Sequence, residues 1–126
     1  MSAPDPVDHV LPVLRHVLAE IQRRGAIGRV AIDEAIAHAD EYVAALPVDL
    51  VGGDLVDLGS GGGLPGLVIV ARRSDLRVTL VERRDKRADL LRFGVRGLDA
   101  TDRVEVVAAD VQQVVRRSPG AFDVVS

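Results

Sequence analysis

The chain has 126 residues, 48% of them apolar and 28% charged, and a formal net charge of −3. That length suits one domain with a real core, and the charge balance excludes a globally basic nucleic-acid binder while leaving local basic patches open. There is no cysteine, hence no disulfide, thiolate metal site or cysteine nucleophile, and two Phe, one Tyr and no Trp make the core aliphatic.

Residues 1–7, with Pro4 and Pro6 among small and polar neighbours, are predicted to form a loose tail. Over 8–24, Val10, Val13, Leu14, Val17, Leu18 and Ile21 recur at three- and four-residue spacing, the stripe of an amphipathic helix, with Gly25 as its stop. A second helix is predicted over 30–46, with Ile32, Ile36, Tyr42, Val43 and Leu46 inward, ending before Pro47. Asp5, Asp8, Arg15 and Glu20 break any early apolar run, so neither a signal peptide nor a membrane span is expected, and a cytoplasmic protein is. His9, His16 and His38 are too scattered for a metal site, and His38 reads as a surface or cap residue.

A first strand is predicted over 54–58. It carries Asp57 and runs into Gly59-Ser60-Gly61-Gly62-Gly63-Leu64-Pro65-Gly66, after which a short helix ends at Val70 or Arg72. Such a loop lets a ligand approach main chain closely, with Pro65 in the first helical turn and free N–H groups facing the ligand. A nucleoside triphosphate suits it poorly, because no Gly-Lys-Ser/Thr follows. Gly61-x-Gly63-x-x-Gly66 spells a dinucleotide fingerprint, and Glu82 follows Gly61 by 21 residues, near the spacing of a ribose-binding acid. Yet Gly61 sits four residues past Asp57, whereas that fingerprint opens at the strand end. The remaining reading is Asp57-x-Gly59-x-Gly61-x-Gly63, an acid followed by alternate glycines.

A second strand over 77–82 closes on Glu82. Asp85 is predicted to cap a helix with Ala88, Leu90, Leu91 and Val95 inward and Gly97 at its end. A third strand over 104–108 leads to Asp110, a helical turn around 111–117 breaks at Pro119-Gly120, and a fourth strand occupies 121–125. This alternation predicts a Rossmann-like α/β fold: a parallel sheet in order 3-2-1-4 with helices on both faces. A helical cap over 1–50 precedes a ligand-binding domain over 51–126. Asp57, Glu82 and Asp110 then line up along the carboxyl edge of the sheet, where open α/β sheets bind ligands.

The acid and alternate glycines resemble the first motif of class I S-adenosylmethionine-dependent methyltransferases. The fuller runs narrow this. Leu58 to Gly66, whose Leu64-Pro65-Gly66 is the distinctive part, and Val81-Glu82-x-x-x-Lys86-Arg87-x-x-x-Leu90-Leu91 resemble the small-subunit ribosomal RNA guanine-N7 methyltransferases, the RsmG or GidB family. The similarity covers 38–126 and is strongest over 56–91. The resemblance implies S-adenosylmethionine as cofactor, with contacts at Gly59 and Leu64 and at Val111 and Gln112. Ser60, Gly61 and Gly63 complete the loop, Glu82 would take both ribose hydroxyls, and Asp110 the adenine amine. Asp57 would anchor the loop or lie near the methionine amine. No metal and no catalytic side chain is implied.

The implied acceptor is ribosomal RNA or the small ribosomal subunit, with Arg72-Arg73, Arg83-Arg84-Lys86-Arg87 or Arg116-Arg117 against phosphates. The chain departs from the family where a His is followed by Asp and Ser three and four residues on; here His38 stands with Glu41 and Tyr42. The family's Arg-Ala pair after the fourth strand would fall beyond Ser126. A sheet incomplete at its C-terminus is therefore expected, with Phe122, Val124 and Val125 on an edge prone to self-association. Two alternatives stand beside the RNA enzyme: a cofactor-binding module without turnover, and a methyltransferase of the same fold acting on a small molecule.

Overall fold

A computed structural model describes residues 6–47, 49–50, 52–58, 62–110, 112–113 and 123–125. Four parallel strands, β1 (Asp54–Leu58), β2 (Arg77–Val81), β3 (Val104–Val107) and β4 (Asp123–Val125), form one sheet in the order β3-β2-β1-β4. The predicted order is the observed one. In β1, Leu55, Val56 and Asp57 are all buried although successive side chains point to opposite faces. The centre of the sheet is thus covered on both sides, which explains an apolar run rather than an alternating one.

The connections from β1 to β2 through α3 (Gly66–Arg72) and from β2 to β3 through α4 (Asp85–Gly97) step the same way, which places both helices on one face. There α1 (Pro6–Arg23) packs against α3 and α4, and α2 (Ile32–Ala45) against α3. Leu14, Val17, Leu18 and Ile21 of α1 are fully buried in the same core as Leu67, Ile69 and Leu80. Each such side chain contributes about 1.5–3 kcal/mol of burial. The helical turn expected around 111–117 lies outside the described residues except for 112–113, as does the start of the fourth strand at 121–122.

Several boundaries shift for local reasons. α1 begins at Pro6, whose fixed φ suits a first helical position, so the predicted tail shortens. Pro65 precedes the helix it was expected to enter, and Gly66 is the first residue of α3. Asp85 lies inside the first turn of α4 with Arg84 at the cap position, where no side chain caps the helix. α4 ends at Gly97 as expected, with Gly97 against Val17 of α1, and Asp99 takes the left-handed position at φ 55.

The largest correction is Tyr42, expected inward but 43% exposed. Ile32, Ile36, Ala39, Val43 and Leu46 form one stripe at helical spacing and face the core. Tyr42 is one residue, about 100° of helix, away from Val43 and falls on the neighbouring stripe.

Candidate functional site

The carboxyl ends of β1, β2 and β3 build the site. Asp57 is 1% exposed, and Gly66 lies so close that a Cβ there would collide with Asp57 Oδ2. Asp57 therefore sits beneath the start of α3, where the helix end favours a carboxylate. Gly59, Ser60 and Gly61 lie outside the described residues. Gly62 packs against the carbonyl of Ala26, and Gly63 adopts φ +98, a conformation that side chains resist. The Gly63 carbonyl accepts the Leu67 N–H at 2.7 Å, joining loop to helix.

Backbone pairing continues past β2 and β3 and brings the other two acids together. The Glu82 N–H donates to the Val107 carbonyl at 3.0 Å, and the Ala109 N–H donates to the Glu82 carbonyl at 3.2 Å. Glu82, 6% exposed, and Asp110 consequently border one cavity of about 380 Å³ with Arg83, Arg84 and Arg87. Glu82 Oε1 accepts the Arg84 N–H at 3.0 Å. Asp110 Oδ1 accepts the Gln112 N–H at 2.8 Å, which places Gln112 beside this cavity; Val111 lies outside the described residues. Two acids predicted from separate strands thus meet in space, and part of the basic run predicted for RNA flanks them.

Arg72 and Arg73 do something else. Arg72 donates to both oxygens of Asp40 on α2, at 2.9 and 3.1 Å, and Arg73 clasps Asp75, so both are committed to the fold. Arg116 and Arg117 lie outside the described residues. Among the described residues, no group of three or more His, Cys, Asp or Glu side chains is placed to hold a metal, and no helix is long and apolar enough to cross a membrane.

Leu64 is not on the Glu82–Asp110 cavity. With Pro65 it forms one wall of a second concavity, about 490 Å³, whose other wall is α2: Glu34, Ala35, His38 and Tyr42, with Val30 at its mouth. The His38 and Tyr42 rings meet edge to face at 5.9 Å and 82°, and His38 Nδ1 lies 3.7 Å from Glu41 Oε2. Of these residues only His38, Glu41, Tyr42, Leu64 and Pro65 had been singled out. Glu34, His38 and Tyr42 recur every four residues, and that spacing was the available signal for the groove.

A glycine loop after the central strand, acids at the next two strand ends and the reversal of strand order beside them define the class I methyltransferase architecture. An O-methyltransferase from Bacillus cereus, solved in complex with SAH, superposes with a TM-score of 0.62 over 84% of this chain and 47% of its own, at 19% identity. The profile of GidB, rRNA small subunit methyltransferase G, matches residues 35–126, and the chain belongs to this family. A ribosomal RNA small subunit methyltransferase G of Rhizorhabdus wittichii is 37% identical over 113 residues, 87% of this chain and 51% of that protein. Its namesake in Xanthomonas campestris pv. campestris is 32% identical over 120 residues, 92% of this chain and 55% of that protein. The chain spans about half the length of the curated relatives it matches.

Proposed function

We propose that the chain binds S-adenosylmethionine at the carboxyl edge of its sheet and directs its methyl group to guanine N7 in small-subunit ribosomal RNA. The observation that carries the reading is the meeting of Glu82 and Asp110 on one cavity at the end of the glycine-loop strand pair, in a member of the GidB family. The residues present fit that cofactor. An ionised Glu82 offers two acceptor oxygens to vicinal ribose hydroxyls at the cavity wall, and Asp110 and the Gln112 main chain sit where an adenine edge would lie. Asp57 holds the loop from beneath, while Gly59, Ser60, Gly61, Gly63 and Leu64 supply its main chain, with Val111 flanking the adenine.

When bound, S-adenosylmethionine supplies an electrophilic methyl group already activated by a sulfonium centre. What remains for the protein is alignment and exclusion of water. Guanine N7 carries no proton, so no general base has to act, and the site's acids are free for binding. Arg83, Arg84 and Arg87 flank the cavity and, with Lys86 of the same run, neutralise RNA phosphates. Residues 1–50 are the helical cap bracing the cofactor domain over 51–126.

Calorimetry with S-adenosylhomocysteine and transfer of labelled methyl groups to small ribosomal subunits test this together. Binding and label at a guanine support it. NAD binding in place of the adenosyl ligand overturns it, and binding without transfer to any RNA favours a cofactor module.

A further inference from the structure

Val13, Val30 and Tyr42 are the exposed large apolar side chains among the described residues, and two of the three line the groove between α2 and Leu64-Pro65. Exposing Tyr42 beside His38 costs burial that a helix with an apolar stripe one step away had available. An aromatic pair left open on a concave surface is a stacking platform, and single-stranded bases are held in this way.

We propose that this groove holds the guanine base that accepts the methyl group, with His38 and Tyr42 as its aromatic wall and Glu34 as the residue that selects guanine. The inference rests on the methyltransferase reading and names the acceptor subsite of that same site. Three observations support a base over other occupants. The groove's second wall, Leu64-Pro65, directly follows the glycine loop in the chain, so an occupant here adjoins the exit of that loop. Glu34 is the carboxylate lining the groove, and it makes no hydrogen bond or ion pair with the described residues. Among the described residues no arginine or lysine lines the groove, which disfavours a phosphate; three arginines stand at the other cavity.

Guanine matches this lining chemically. Its N1–H and N2–H are adjacent donors on the Watson–Crick edge, and one carboxylate accepts both. Adenine presents an acceptor at N1 and is repelled. A base held through that edge turns its N7 edge away from Glu34, so the group that selects the base leaves the reacting nitrogen free.

The test uses the full chain and a short single-stranded RNA carrying one guanine among pyrimidines, with inosine replacing the guanine in a second RNA. Inosine lacks the N2 amino group. Fluorescence anisotropy is read with and without S-adenosylhomocysteine, whose own affinity is measured by calorimetry. The parent is expected to bind the guanine RNA about 10-fold more tightly than the inosine RNA, the discrimination of one good paired contact. Glu34→Gln should reduce this preference to within twofold. Tyr42→Ala should weaken both RNAs about 10-fold, the effect of losing one stacking partner, and Tyr42→Phe should restore them. Melting curves confirm that these exposed substitutions leave the fold intact, and cofactor affinity should stay unchanged in all three variants. A guanine preference that survives Glu34→Gln, or a parent with none, overturns the groove assignment even where the cofactor binds. Failure of the cofactor to bind while guanine preference follows Glu34 overturns the methyltransferase reading instead.

Discussion

The two ends of the sheet use the same residue types to opposite ends. At the amino end, arginines and carboxylates are locked to each other and to main chain. Arg73 donates to both oxygens of Asp75 at 2.9 Å, Asp75 also accepts the Gly52 N–H at 3.1 Å, and Arg77 meets Asp54 at 2.8 Å. Arg103 donates to the carbonyls of Val70 at 2.7 Å and Arg73 at 3.2 Å, tying the end of α3 to the start of β3. At the carboxyl end the acids accept main-chain N–H groups, Arg84's for Glu82 and Gln112's for Asp110, and border an open cavity with three arginines around it. Both ends border a concavity, about 430 Å³ at the first and about 380 Å³ at the second, and they differ in what their carboxylates bind: arginines at the first, main-chain N–H groups at the second.

If that division holds, substitutions should sort by end. Gly66→Val should have the largest effect and cross the boundary, because its Cβ collides with both Asp57 and Leu80. Overpacking at a core contact costs about 1–3 kcal/mol or more, so a lower melting temperature and no measurable S-adenosylhomocysteine binding are expected. Parental melting and affinity would place Asp57 away from the loop. Arg103→Ala should cost about 1.5–3 kcal/mol by denaturant titration, the worth of hydrogen bonds from a charged donor, with cofactor affinity within twofold of the parent. A loss of affinity instead would mean that the amino end reports to the site. Glu82→Gln should do the converse: calorimetry should show binding about 10-fold weaker, while the melt stays near the parent's. The 2′,3′-dideoxy analogue should bind parent and variant alike; a variant that still discriminates against it puts the ribose elsewhere.

The smallest effect concerns acid. The Arg73 guanidinium, helped by the Gly52 N–H, holds the Asp75 carboxyl well below the usual carboxylate range. A folded value below the unfolded one, about 3.9, stabilises the fold above that pH and loses the contribution as pH falls through and below it. Asp75→Asn should therefore destabilise the chain at pH 7 and match the parent near pH 2. With the side chain 36% exposed, water screens the pair and the difference should be under about 1 kcal/mol. A gap that widens on acidification would reverse the assignment.

What the sequence makes legible here is whatever one segment decides for itself. The strands at 54–58 and 77–81, their order, and the acids at their ends emerge from apolar runs that carry Asp57 or lead into Glu82. What stays hidden depends on a partner far along the chain. Tyr42 and Val43 are adjacent and both apolar, and only the packing of α2 on α3 decides which one faces the core. Gly97 reads as the end of its helix, which it is, but that the same position makes room for Val17, eighty residues earlier, shows only in the packing. The Arg103 clamp reaches carbonyls about thirty residues back, and the groove opposite Leu64-Pro65 exists only once α2 lies beside the loop.

The contact of Gly62 with Ala26 has a consequence for how such proteins are recombined. Ala26 belongs to the connection between α1 and α2, ahead of the region that matches the family profile from residue 35. A carbonyl from that connection fills the space where a side chain on the loop would go, so the loop's outer wall is built by the less similar part of the chain. Grafting residues 1–29 of a relative onto this chain would exchange that wall while leaving Glu34, His38, Tyr42 and the acids of the carboxyl edge in place. Such chimaeras would vary cofactor affinity through the fit of one seam, and a coordinated change at position 62 would be the place to repair it.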